Sequence, residues 1–129
     1  EGCKLTAYQD QGGVWTIGYG HTRGVKSGDT CTQEQADTWL LADMAAAEEG
    51  VNAFVTGAMN QNQFDALVDF AFNLGVGAFA RSTLLRLFNQ GQVAAAAAQF
   101  SKWDHVGGVD SLGLLRRRLA ERDLFLEAE

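Results

Sequence analysis

The chain has 129 residues, enough for one compact domain and short for two. Its 10 Lys and Arg stand against 16 Asp and Glu for a formal charge of −6, which argues against nucleic-acid binding through an overall basic surface. At 47% hydrophobic and 20% charged it is globular in composition rather than disordered, and no apolar run approaches the roughly 20 residues that span a bilayer.

Residue 1 is Glu rather than Met, and no basic-then-apolar start follows, so no signal peptide is expected and the chain reads as processed at its front. Leu5–Gln9 and Val14–Tyr19 are rich in aromatic and β-branched residues and flank the turn residues Asp10, Gly12 and Gly13, which predicts a β-hairpin. Gly18, Gly20, Gly24 and Gly28 then keep the chain irregular as far as Thr32. At Thr32 the period changes. Thr32 with Gln35 reads as a capping box, and Ala36, Trp39, Leu40, Asp43, Met44, Ala47, Val51 and Phe54 recur at helical steps, predicting one long helix with Gly57 just past its end. A second helix carries Phe64, Leu67, Val68, Ala71 and Phe72 on one stripe and closes near Gly75. Shorter helices are expected around Thr83–Phe88 and Val93–Trp103, and the Gly107-Gly108 break precedes a last helix, roughly Leu112 to Leu126. These elements make an α+β fold of one domain over residues 1–129: a small β lobe (1–32), a connecting helix (33–56) and a mostly helical lobe (57–129).

The acidic balance is uneven along that order. Residues 1–26 sum to +1, 27–80 to −8, 81–118 to +4 and 119–129 to −3. An anionic ligand could therefore meet a basic face on an acidic protein, although solvated helix faces explain the same distribution. Cys3 and Cys31 permit one disulfide, with two small buried thiols as the equal alternative, and exclude a four-cysteine zinc site.

Glu1, Asp10 and Thr16 are the residues whose types and places suggest chemistry. A hairpin brings the Asp10 carboxylate near the Thr16 hydroxyl, and Glu1 stands at the far end of the first strand segment. Two carboxyl groups flanking a bond are what glycoside hydrolysis needs, one to protonate the departing oxygen and one to orient water. Taken alone, an Asp at a turn and a Thr in a strand are as readily local structure.

The surrounding run is more specific. Residues 1–10, continuing through Gly13-Val14-Trp15-Thr16-Ile17-Gly18-Tyr19-Gly20-His21-Thr22, resemble the active-site segment of bacteriophage lysozymes of the T4 type. The resemblance extends through 32–37, 64–75, 82–85 and 113–121, and so over nearly the whole chain. It implies a lysozyme-like fold with a cleft between the lobes. It also implies a peptidoglycan hydrolase, an endolysin that cleaves the β-1,4 bond between N-acetylmuramic acid and N-acetylglucosamine during host lysis. Glu1, Asp10 nine positions on and Thr16 six further match both spacings of that family's catalytic triad. Glu1 is then the general acid, and Asp10 with Thr16 positions the attacking water. A carboxyl separation of about 6.5–9.5 Å would give inversion, and one near about 5 Å retention.

The same resemblance offers supporting residues. Asp43 occupies an apolar-stripe position and needs a partner, for which the family suggests His21 as a structural ion pair. A metal at His21 is the competing reading, disfavoured because His105 is the only other histidine and no ligand spacing accompanies it. Asn73 falls where the family places a substrate-facing amide, or it caps its helix. Ser82 either meets sugar or starts a helix. Of Arg116, Arg117 and Arg118, consecutive on a helix, one is expected to approach Glu1, with Arg117 the choice, and the others to be solvated. Relatives carry a short helix before the Glu that this sequence lacks. No cofactor, metal or nucleic acid is expected, and the protein is read as a monomer that waits in the host cytoplasm or periplasm and acts on the cell wall. The alternatives are a lytic transglycosylase and an inactive wall-binding module of the same fold.

Overall fold

The computed structural model describes every residue except Glu1, Gly2, Gln11, Trp103, Asp104, Gly107, Gly108, Ser111, Ala128 and Glu129. Packing divides the chain into two units, Glu1–Ala45 and Ala46–Glu129, and the division falls inside the long helix rather than at either of its ends.

In the first unit, β1 (Lys4–Gln9) and β2 (Trp15–Gly18) form an antiparallel hairpin. Tyr8 pairs with Thr16 and Gln9 with Trp15, and an irregularity in β1 precedes the Lys4–Gly18 pair. Gly13 in the loop has φ +82°, the left-handed conformation that a three-residue hairpin loop demands and that side chains resist. Thr6 also bridges Thr30 and Ile17 bridges His21, so the glycine-rich segment after β2 folds back along the hairpin. The helix α1 (Gln33–Phe54) begins where the period changes, with Thr32 Oγ1 accepting the Gln35 N–H at 3.1 Å. Of its predicted stripe, Ala36, Ala47 and Val51 are buried, whereas Phe54 is exposed.

The second unit is helical. The helix α2 (Gln61–Leu74) starts on a full capping box, in which the Asn60 side chain accepts the Gln63 N–H and the Gln63 side chain accepts the Asn60 N–H. Three short helices follow, α3 (Val76–Ala80), α4 (Thr83–Asn89) and α5 (Val93–Ala97), then a 3₁₀ turn at Phe100–Lys102. The helix predicted to run to Trp103 thus stops five residues in, and the chain turns so that Phe100 enters the core; Trp103 itself lies outside the described residues. Two-residue strands β3 (His105–Val106) and β4 (Val109–Asp110) pair around the expected glycine break, before α6 (Leu112–Leu126).

The core of this unit is an aromatic chain. Phe70 meets Phe79 and Phe100 edge-on at ring separations of 6.4 and 5.4 Å, and Phe125 meets Phe100 and Phe88 at 5.3 and 5.2 Å. One helix crossing is set by an absent side chain: a Cβ on Gly50 of α1 would lie 2.6 Å from Val76 Cγ1 of α3. Gly50→Ala should therefore destabilise the protein by about 1–3 kcal/mol, even though Ala is the better helix former by about 1 kcal/mol. Equilibrium denaturation checks this, and a stabilised variant would contradict it.

Candidate active site

The hairpin turn is organised by one residue's main chain. Val14 N–H donates to Asp10 Oδ1 at 2.9 Å, and Val14 O accepts both the Asp10 N–H and the Thr16 hydroxyl at 2.9 Å each. Gly12 N–H adds a second bond to Asp10 Oδ1, also 2.9 Å. Asp10 Oδ1 is therefore committed to the turn, while Oδ2 makes no hydrogen bond among the described residues. Thr16 is buried and its one hydroxyl proton goes to Val14 O, which leaves its oxygen as an acceptor. Gln9 Nε2 closes the turn from outside by donating to Gly13 O at 3.2 Å. Glu1, named from sequence as the acid, lies outside the described residues.

Behind the hairpin, Asp43 meets a partner. His21 Nδ1 stands 2.9 Å from Asp43 Oδ2, and the imidazole stacks on Trp39 with centroids 4.4 Å apart and planes 6° from parallel. The ring is thus held by a hydrogen bond at its edge and an indole on its face, which fixes the chain directly after β2 against α1. Gln33 Nε2 extends the same junction by donating to Tyr19 Oη and Asp37 Oδ1 at 3.0 and 2.9 Å. Among the described residues, no group of three His, Cys, Asp or Glu could hold a metal ion.

In the second unit the named residues separate by role. Ser82 is buried as the N-cap of α4; its hydroxyl donates to Phe79 O at 2.7 Å and accepts Leu85 N–H at 3.1 Å. Both functions of the hydroxyl are spent on the helix start. Asn73 is half-buried near the end of α2, and the cap contact there is Gly75 N–H to Ala71 O, not the Asn73 amide.

The three arginines of α6 occupy three environments: Arg116 is exposed, Arg117 half-buried and Arg118 fully buried. The expectation that two of them are solvated fails for Arg118, because a guanidinium is tolerated inside when its charge is matched. Its Nη2 donates to Glu121 Oε2 at 2.8 Å, Nε stands 2.7 Å from Oε1 off the hydrogen-bond direction, and its charge lies 5.3 Å above the Phe70 ring. Asp69 of α2 is near enough to favour the protonated form of Glu121. No sequence motif announced this cluster, although Arg118 and Glu121 stand three apart, the spacing of neighbours on a helix face.

The disulfide that the sequence permitted is absent. Cys3 and Cys31 are free thiols and are half-buried rather than buried.

A hairpin unit carrying Asp10 and Thr16, joined through a long helix to a helical body, defines a lysozyme-like protein. Residues 1–121 match the family described as Phage lysozyme. The endolysin of Acyrthosiphon pisum secondary endosymbiont phage 1 is 43% identical over 132 residues, covering 99% of this chain and 90% of that protein. The endolysin of Salmonella phage P22 is 43% identical over 131 residues, covering 98% and 89%. Among solved structures, the muramidase domain of SpmX from Asticaccaulis excentricus superposes with a TM-score of 0.81 at 42% identity, covering 99% of this chain and 90% of that one. The chain belongs to the phage lysozyme family and is a lysozyme-type muramidase, a peptidoglycan hydrolase of the kind phages use in host lysis.

The Arg118 cluster gives this enzyme a pH signature. Burial, and then the hydrogen bond to Asp69, push Glu121 up to about 9 against the pull of Arg118, so one proton is retained between two carboxyls. The folded state then binds more protons than the unfolded chain from the ordinary Glu range near about 4.3 up to that value, so stability falls as pH rises through the window. The contribution should weaken by up to about 1 kcal/mol per pH unit. Glu121→Gln should flatten this slope in urea titrations at a series of pH values, and an unchanged slope would contradict the assignment.

Proposed function

We propose that the enzyme hydrolyses the β-1,4 bond between N-acetylmuramic acid and N-acetylglucosamine by a single displacement with inversion, with Glu1, Asp10 and Thr16 as its catalytic residues. The observation that carries this reading is the Val14 main chain, which ties the Asp10 carboxylate and the Thr16 hydroxyl to one turn. Asp10 Oδ2 and Thr16 Oγ1 both act as acceptors toward a water molecule. A water that gives its two protons to those oxygens turns a lone pair outward, toward the anomeric carbon of a bound sugar. As the water oxygen bonds to that carbon and the glycosidic bond breaks, the Glu1 proton passes to the departing oxygen and a water proton passes to Asp10. Asn73 supplies an amide to the sugar and Arg117 supports the acid. Ser82 is left out because its hydroxyl is occupied at the start of α4. His21 and Asp43 act on the hairpin's position rather than on substrate. The protein works as a monomer on the cell wall, in one domain made of a β lobe, a connecting helix and a helical lobe.

Glu1→Gln should reduce lysis of wall suspensions by about 10²–10⁴-fold while wall binding persists; unchanged lysis would remove Glu1 from the acid's role. Thr16→Ser should retain far more turnover than Thr16→Val, because only Ser keeps the oxygen that accepts from water. Products should carry reducing ends, released first as the α anomer and detected by proton NMR before mutarotation. Anhydromuramic ends would show a lytic transglycosylase instead.

A further inference from the structure

We infer that Arg118 and Glu121 of α6, set against Phe70 of α2, are positioning residues for the reaction: they lock the register of α6 on α2 and thereby the placement of Arg117 and Asn73. The inference rests on the roles proposed for those two residues. Among the described side chains of α6, the buried ones are Arg118, Glu121 and Phe125, which fall on one stripe at steps of three and four. Two of the three are polar, so the stripe holds its place largely through directional contacts. Arg118 Nη2 donates to Glu121 Oε2 at 2.8 Å, and the guanidinium carbon lies 5.3 Å from the centroid of the Phe70 ring. A hydrogen bond and a cation over a ring face both weaken when one partner turns or slides, whereas apolar attraction is non-directional.

The arrangement is poorly suited to stabilisation alone. Arg118 is 0% exposed and Glu121 4%, yet Arg118 Nε and Nη1 and Glu121 Oε1 make no hydrogen bond among the described residues. Keeping such groups dry and unpartnered costs free energy, and a well-packed apolar pair of similar volume often does as well or better. What an apolar pair does not supply is direction. Arg117 inherits that direction from its neighbour, because adjacent side chains leave a helix axis about 100° apart and a fixed Arg118 fixes the root of Arg117. On α2, Asn73 stands three residues beyond Phe70, one turn along the same face. The lock thus joins the helix carrying the amide proposed to meet sugar to the helix carrying the arginine proposed to support the acid. A slip of one residue along α6 would move Arg117 by about 1.5 Å, whereas working sites hold their groups to about 0.5 Å.

The test replaces the lock in the full chain by apolar side chains of similar volume, Arg118→Met together with Glu121→Leu, so that neither partner is left alone in the core. Expected are a melting temperature no lower than before and a kcat on soluble peptidoglycan fragments reduced by about 10- to 100-fold. Spin labels on Asp65→Cys of α2 and Arg116→Cys of α6, both exposed positions, report the register directly once Cys3 and Cys31 are changed to Ser. One narrow distance is expected with the lock in place and a broad or doubled distribution with it replaced. Glu121→Gln, which keeps the shape and an acceptor for Arg118, should retain the narrow distance and most of the turnover. A distribution unchanged by the double replacement would overturn the lock, and unchanged turnover would overturn its part in the reaction. A double variant that unfolds, or that loses activity only in proportion to lost folded protein, would show a stabilising role in its place. If Arg117→Ala and Asn73→Ala left lysis intact, the roles assigned to those residues would fail while the spin-label distances still reported on the lock.

Discussion

The arrangement of the β1–β2 hairpin depends on the peptide groups of Val14. A three-residue loop between Asp10 and Val14 is short enough that one residue's N–H and C=O reach both ends of the turn and the first side chain of the returning strand. The N–H takes one oxygen of Asp10, and the C=O takes the Asp10 amide and the Thr16 proton. Each bond removes a freedom that would blur the site: rotation of the carboxylate, splaying of the hairpin, rotation of the hydroxyl. What remains is one carboxylate oxygen and one hydroxyl lone pair with directions set in advance, the preorganisation that water-activating sites require. Gly13, with its positive φ, is the condition for this loop.

The rest of the first unit holds that hairpin in place. A hairpin of two short strands is marginal alone in water. Here it is closed on one side by the Thr6–Thr30 bridge and on the other by His21, which is stacked on Trp39 and bonded to Asp43. Asp43 looks misplaced on an apolar stripe until its partner is seen. The charged atom is the means by which α1 grips the chain after β2.

The large elements were legible because they are long and periodic. The hairpin, α1, α2 and α6 were readable from alternation, helical steps and turn residues, and with them the α+β class. Short elements were not. The five-residue α3 offers barely more than one turn, too little for a period to show. The end of α5 and the 3₁₀ turn follow from Phe100 fitting between Phe70 and Phe125, a tertiary demand that overrides the helix preference of the alanines before it. The pairing of β3 with β4 did carry a signal, two valines flanking Gly107-Gly108, but so brief a hairpin reads equally as a break. In the proposed site, Asp10 and Thr16 were recognisable as candidates by type and spacing. The Val14 contribution was not, because main-chain groups leave no trace in side-chain motifs. Arg118 was misjudged for a related reason: three consecutive arginines look alike until burial distinguishes the one that is held inside against Glu121.

The central claim is that Asp10 and Thr16 act on one water as a unit. A double-mutant cycle on turnover with Asp10→Asn, Thr16→Val and the double variant tests it most directly. If both residues orient the same water, losing either disables the arrangement, and the double variant should turn over about as slowly as the worse single one. Losses that multiply, with the double variant impaired by the product of the two single effects, would show that the residues act independently and would contradict the account.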